Sequence, residues 1–279
     1  MTAFGAHRLD DLHTAYERDG FAILRGLWDD AALEAIEEAC ESVQRQLLAG
    51  ALGERYGTSI LVDDGGERSD RFTNYVQYTT ELSPVIRDAV HHPTLAAVAR
   101  RVLGPGCWLQ ESTRFGVVYQ DARPGRESAY TRIGWHSDWQ SGPNLDVWPS
   151  TAFTIHLDET SPANGFLRAV PGSHRWATPA PYRNINDAPV PEGSAPAGGH
   201  TDEPPPFPMP LGFEKVPGEV AVYCDRGDVI FHDAYLWHSA ARATDDATKR
   251  RHLRGGWFCG NPLDPADEHL HDFVKNAAR

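Results

Sequence analysis

Gly134-Trp135-His136-Ser137-Asp138-Trp139 is the stretch on which the reading of this chain turns. It lies between the run Tyr130 to Ile133 and a polar turn, Ser141-Gly142-Pro143-Asn144. On an extended strand, side chains at i and i+2 point to the same face. The spacing therefore predicts that His136 and Asp138 converge while Ser137 faces away. An imidazole and a carboxylate on one side of a point, joined by one distant histidine, make a 2-His-1-carboxylate site. Such a site suits Fe(II), because it leaves positions open for oxygen and an organic co-substrate.

The pair is not specific by itself. With 13 histidines in 279 residues, His-x-Asp arises by chance, and a second copy, His200-Thr201-Asp202, is present. That copy lies between Gly198-Gly199 and Pro204-Pro205-Pro206, where no regular strand can run, so His200 reads as a loop residue. Composition narrows the rest. An apolar fraction of 41% is enough for a core. No apolar run reaches membrane-spanning length, and Met1 to Leu12 has no apolar h-region. Four scattered cysteines with no CxxC argue against a disulfide framework and a cysteine zinc site, and make the cytoplasm the default compartment. A net charge of −13 disfavours nucleic acid and anionic membranes as partners. Arginine far outnumbers lysine, which points to a GC-rich bacterial genome.

Outward from the opening stretch, the chain divides into helices first and strands later. Leu9 to Arg18 reads as a helix ended by Asp19-Gly20, and Phe21 to Gly26 as a short strand. Asp29 or Asp30 caps a helix running to about Leu48, with Leu33, Ile36, Cys40 and Val43 on one face. Residues 50–80 read as irregular; within them Phe72, Tyr75 and Tyr78 suit either core or pocket wall. Ser83-Pro84 opens a helix to about Val90, and Thr94 to Leu103 forms the next, with His91 and His92 at the break read as surface residues. Short β-branched and aromatic segments follow at 108–119, 130–136, 151–157, 166–170, 219–223, 228–232 and 251–258, the pattern of a sandwich or barrel. The expected class is α+β: a single domain over residues 1–279, with helices packed outside an all-β core. Residues 177–212 read as a Pro/Gly-rich, lid-like insertion, and Pro265 to Ala278 as a C-terminal helix.

A third ligand is best sought in Gly227-Asp228-Val229-Ile230-Phe231-His232-Asp233-Ala234-Tyr235-Leu236-Trp237-His238, where a turn and a buried strand lead to His238. The two histidines meet only if the fold closes back on itself, as a double-stranded β-helix does. At this point the chain resembles the phytanoyl-CoA dioxygenase-like family of Fe(II)/2-oxoglutarate oxygenases. The resemblance rests on Gly134 to Asp138, on Leu157 to Arg168, on Val170-Pro171-Gly172-Ser173-His174, on Gly227-Asp228, on His238-Ser239 and on Arg250-Arg251-His252-Leu253. It covers nearly the whole chain apart from 177–212.

The resemblance implies a jelly-roll, cupin-like core in which His136, Asp138 and His238 bind Fe(II), with 2-oxoglutarate and O2 as co-substrates. It gives His174 a place in a structural turn and leaves His232 near the site without a ligand's role. A bidentate guanidinium suits the distal carboxylate of 2-oxoglutarate. Alternation puts Arg250, His252 and Arg254 on one face and Arg251 and Leu253 on the other. The resemblance of Arg250-Arg251-His252-Leu253 to the family's pattern selects Arg250, with Arg254 second. Thr154 falls where the family lines the 2-oxoglutarate pocket, and His156, by alternation, faces opposite to Ile155. The family often carries a serine two positions after the distal histidine, where this chain has Ala240. Halogenases of this kind replace the aspartate with a small residue, so Asp138 argues against halogenation. Trp139, Trp148 and Phe207, with Trp135 and Met209, suggest an aromatic wall for a small organic substrate. Hydroxylation is the expected outcome; desaturation, epoxidation, epimerisation and ring closure share its first steps. A metal- or ligand-binding β-helix protein without turnover, and a zinc hydrolase, are the readings from other classes.

Overall fold

The computed structural model describes residues 6–58, 75–111, 116–123, 133–141, 150–178, 198–210 and 212–259. Within them the chain runs α1 (Ala6–Asp19), β1 (Phe21–Leu24), α2 (Asp30–Leu48), β2 (Gly57–Thr58), β3 (Tyr75–Val76), α3 (Thr79–Leu82), α4 (Pro84–Val90) and α5 (Pro93–Leu103). The second part holds β4 (Trp108–Leu109), β5 (Val118–Ala122), β6 (Ile133–His136), α6 (Asp138–Ser141), β7 (Ser150–His156), β8 (Leu167–Ala169), β9 (Val220–Val222), β10 (Val229–Asp233), β11 (His238–Ala240) and β12 (Arg250–Phe258).

The helices begin where the sequence signals them. Asp29 caps α2 by accepting a hydrogen bond from the Ala32 N–H, and Ser83 caps α4 through Ile86 N. Leu33, Ile36, Cys40 and Val43 are the buried face of α2, joined by Gln44. His92 is no plain surface residue: its Nδ1 accepts from Thr94 N and caps α5. The expected strand 108–119 is two strands, β4 and β5, and between them Gly116 lies close against the carbonyls of Gln110 and Glu111, where a Cβ would not fit. Phe72, Trp148 and the expected C-terminal helix lie outside the described residues.

The strands form two antiparallel sheets. The larger has the order β1-β10-β7-β12-β5-β3-β2, with β4 also on β12; the smaller is β6-β11-β8-β9. Apart from β2 and β3, neighbours in the sheets are far apart in sequence, as a double-stranded β-helix requires. The main apolar core lies between the helices and one face of the large sheet. There Leu12, Ile36, Cys40, Ile86 and Leu95 meet Tyr119, Phe153, Ile155, Phe231 and Leu253. Alternation turns the intervening residues, Thr154, His156, Arg250, His252 and Arg254, to the opposite, inner face. Arg251 points the other way, to Asp158 Oδ1 at 2.7 Å and to Glu37 and Glu41 of α2 at 2.5 Å each. The large sheet thus has an apolar back and a polar front. No helix among the described residues is long and apolar enough to cross a membrane.

Candidate metal centre

His136 ends β6 and His238 opens β11, and the two face each other as register partners across one rung of the small sheet. Their ring centroids are 4.3 Å apart. Asp138 joins them by a different route from the one the spacing suggested. The strand stops at His136, and Asp138 opens the short helical turn α6. Convergence therefore comes from a strand end running into a turn. The turn is held because Trp139 N–H donates to Ala234 O at 3.0 Å, tying α6 to the segment after β10. One possible ligand atom from each of His136, Asp138 and His238 lies within 4.8 Å of the others.

The surroundings prepare these groups for a cation. Nδ1 of His136 lies 2.9 Å from Gly134 O, and Nδ1 of His238 lies 2.9 Å from Leu236 O. A backbone carbonyl can only accept, so each Nδ1 carries the proton and each Nε2 keeps its lone pair. Burial pushes the pKa of His238 down to about 3, with the neighbouring His136 and His232 adding to the effect. Burial lowers that of His136 as well, and Arg254 contributes. Both rings are therefore neutral at ordinary pH, each with an Nε2 lone pair to offer. Burial disfavours the Asp138 carboxylate, but the hydrogen bond from His232 and the surrounding imidazoles more than offset it and hold its pKa well below the usual range. His232 Nε2 lies 3.1 Å from Asp138 Oδ2, while Oδ1 is the oxygen nearer His238 Nε2, at 3.9 Å. His232 thus occupies one carboxylate oxygen and leaves the other toward the two imidazoles. Two neutral imidazoles and one carboxylate on one side of a point fit a divalent cation with open positions.

The other residues singled out from sequence fall into three places. Thr154 and Arg254 are register partners on the inner face of the large sheet. Arg254 reaches Tyr75, donating to its hydroxyl with the guanidinium over the ring. Arg250 is buried at the start of β12 beside Gly165, whose φ of +87° and lack of Cβ make room: a side chain there would meet Arg250 Nη1 at 2.7 Å. Asn164 fixes this corner by donating to Glu159 O and Lys249 O.

Trp139 is buried next to Asp138, edge-on to Tyr235, and Gly198 of the insertion lies against it. Phe207 lies elsewhere. It packs with Trp176 and Met209 on Trp135, Val170, Val216 and Trp237. Trp135 and Trp237 precede His136 and His238 by one residue each, so alternation sets this cluster on the far side of the small sheet. The apolar character of Phe207 did signal burial, but not which sheet face it covers.

His174 is a structural residue, its Nε2 3.2 Å from Glu17 O. His200 stands in a loop, as expected, yet its Nε2 lies 2.9 Å from Asp233 Oδ2. Sequence reasoning gave no role to Gln120, which lies 2.9 Å from His252 Nε2 on the inner face; the alternation of β5 was the available signal.

An antiparallel double-stranded β-helix with a His-Asp-His cluster at one rung of the smaller sheet defines a known class of metal-dependent fold. The family model described as Phytanoyl-CoA dioxygenase (PhyH) matches residues 16–252, and the chain belongs to that family. Among curated relatives, the ectoine dioxygenase of Bordetella parapertussis is 30% identical over 164 residues, 58% of this chain and 48% of that protein. The ectoine dioxygenase of Nocardia farcinica is 30% identical over 184 residues, 64% of this chain and 55% of that protein. The chain thus spans about half the length of the curated relatives it matches. Among solved structures, EctD from S. alaskensis with 2-oxoglutarate and 5-hydroxyectoine superimposes with a TM-score of 0.61 at 17% identity, covering 97% of this chain and 83% of that one. The non-heme alpha ketoglutarate dependent epimerase SnoN from nogalamycin biosynthesis gives 0.59 at 23%, covering 91% and 84%. At these identities the solved structures speak for the fold.

Proposed function

We propose that this chain is an Fe(II)- and 2-oxoglutarate-dependent oxygenase that oxidises a C–H bond of a small organic molecule, with hydroxylation as the outcome. The observation that carries the reading is the meeting of His136, Asp138 and His238, from three elements, within 4.8 Å. Family membership supports it. Iron bound there with 2-oxoglutarate and O2 supplies an oxidant for C–H bonds, the co-substrate leaving as succinate and CO2.

The chain's own residues then have separate tasks. His136 and His238 offer their Nε2 lone pairs and Asp138 one carboxylate oxygen. Arg250 takes the distal carboxylate of 2-oxoglutarate, a role favoured by its burial and by the engagement of Arg254 with Tyr75. Thr154 lines the same pocket, and Arg254 adds positive charge near His136. Trp139, beside Asp138, forms part of the substrate wall, and Trp148 is assigned to it from sequence. Phe207 supports that wall only from behind, through Trp135 and Trp237. The chain acts as a single domain, and the insertion at 177–212 serves as a cover over the mouth. The contact of Gly198 with Trp139 and Tyr235 supports that role. The setting is the cytoplasm of a bacterium and the metabolism a specialised one.

The test is an anaerobic titration with Fe(II) and then 2-oxoglutarate, following the weak visible absorption of the chelate, and then a screen of small molecules for triggered O2 uptake. Appearance of the band and its loss in His238→Ala are expected. A wild-type protein that binds iron without any band on adding 2-oxoglutarate would remove the co-substrate from the proposal.

A further inference from the structure

We propose that His156 is a second hydrogen-bond donor to the distal carboxylate of 2-oxoglutarate, beside Arg250, and that it sets the preference for a dicarboxylic 2-oxo acid. This rests on the co-substrate reading above and deepens it.

Among the described residues, histidines are numerous around the inner faces of the two sheets, and all but one of these have an anchored nitrogen. His136 and His238 bond to backbone carbonyls, His232 to Asp138, His174 to Glu17 O and His252 to Gln120. His156 is the exception. Only 8% of it is exposed, its Nδ1 is buried without a partner, and none of the described residues bonds to either ring nitrogen. Its backbone, by contrast, is pinned on both sides: its N–H donates to Asp228 O at 2.9 Å, and its carbonyl accepts from Gly227 N at 2.8 Å. The ring is thus held in place with its hydrogen-bonding capacity unused. A buried polar group in that state is unfavourable unless a ligand or water completes it.

The neighbours say which ligand. His156 and His252 are register partners, their rings 6.2 Å apart. Arg250 lies two residues from His252 on the same face, diagonal to His156, and near enough for its charge to act on both rings. Asp158, the nearest carboxylate in sequence, is turned to Arg251 on the other face. A cation at this patch would be repelled by Arg250, and an apolar group would leave the imidazole unsatisfied. A carboxylate completes the imidazole by accepting its N–H and is also drawn by the charge of the Arg250 guanidinium. Burial and Arg250 push the pKa of His156 down to about 3, so the ring is neutral and donates a single N–H. His252 cannot take this part: its Nε2–H is directed to Gln120 Oε1, which leaves its Nδ1 as an acceptor.

The experiment uses the full chain loaded anaerobically with Fe(II). It is titrated with 2-oxoglutarate and, separately, with 2-oxovalerate, which has the same chelating end and no distal carboxylate. The proteins are wild type, His156→Phe, which keeps a ring without N–H, and His156→Gln, which restores a donor. The expected result is a Kd for 2-oxoglutarate raised tenfold or more in His156→Phe, with most of the loss recovered in His156→Gln. The Kd for 2-oxovalerate should not move, and the melting temperature without ligands should not fall. An unchanged 2-oxoglutarate Kd in His156→Phe overturns the proposal, and so does equal weakening of both acids, which marks a packing role. Should His156→Phe not fold, His156→Leu carries the same comparison; failure of both makes the ring structural and also overturns it. No chelate band for wild type with either acid overturns the co-substrate reading itself, whereas a normal wild-type band with unaffected variants overturns this inference alone.

Discussion

His232 shows how much a residue outside the ligand set can decide. By holding Asp138 Oδ2 at 3.1 Å it fixes which oxygen faces the histidines. Removing such a support commonly costs 10- to 100-fold in metal affinity. His232→Leu is therefore expected to weaken Fe(II) binding by about that factor, measured by competition with a chromophoric chelator. Unchanged affinity would mean that Asp138 is oriented by α6 alone. At the co-substrate end, Arg250→Ala should raise the apparent KM for 2-oxoglutarate at least tenfold. Leaving a buried carboxylate unpaired costs on the order of 2–5 kcal/mol. If Arg254→Ala has the larger effect, the two arginines exchange roles. The candidate ligand histidines, His136 and His238, could be picked out in the sequence because Gly-Trp-His-Ser-Asp and the Gly-Asp turn before His238 are local patterns. His156 and His232 carried no such mark. Their importance depends on which strand lies beside them, and that is settled by pairings across 94 residues in the case of His232 and Asp138.

Elements were legible wherever one periodicity governed them. The α2 face, the caps at Asp29 and Ser83 and the start of β10 after Gly227-Asp228 all follow from local spacing. The turn at Asp138 did not, because nothing in His-Ser-Asp says that the strand stops at the first of the three. The insertion was legible as irregular but not in its contacts. Its described ends pair with each other through Thr178 and Gly198 and through Ala177 N–H to Glu203 O, and His200 N–H to His174 O ties it to the turn before it. At its edge, a Cβ on Gly198 would collide with Trp139 Cδ1 and come within 2.8 Å of the Tyr235 ring. Gly198→Val should therefore displace Trp139 and, if the insertion covers the mouth, let 2-oxoglutarate turn over without product. Succinate and oxidised product measured together check this. A succinate-to-product ratio equal to that of wild type would detach the insertion from substrate handling.

At the scale of the molecule, Arg251 joins the helical layer to the sheet. It lies 3% exposed among Asp158, Glu37 and Glu41. Burial opposes ionisation of Asp158 and Glu37, but the Arg251 guanidinium, joined at Glu37 by Arg226, outweighs it, and both carboxyls titrate below their ordinary values. A depressed folded pKa contributes stability above the unfolded value, about 4, which is lost as the pH falls through the folded one. The melting temperature of the wild type should thus drop on acidification from about pH 5. Arg251→Met, which leaves these partly buried carboxylates without their shared cation, should lower stability at neutral pH and flatten that acid dependence. Equal pH slopes for the two proteins would place the acid sensitivity elsewhere.

The rung that joins His136 to His238 has a mechanical consequence. An ion held there cross-links β6, β11 and α6, and the link is made and unmade by chelation alone. Among the described residues the small sheet has no helical layer like the one behind the large sheet, so there it has less to hold it when the link is gone. Stripping the metal should accordingly speed amide hydrogen exchange in β6 and β11 and leave β7, β10 and β12 as slow as before. Loss of iron would then fray one edge of the protein while the rest stays folded, and the stripped chain would remain a template onto which the ion can return.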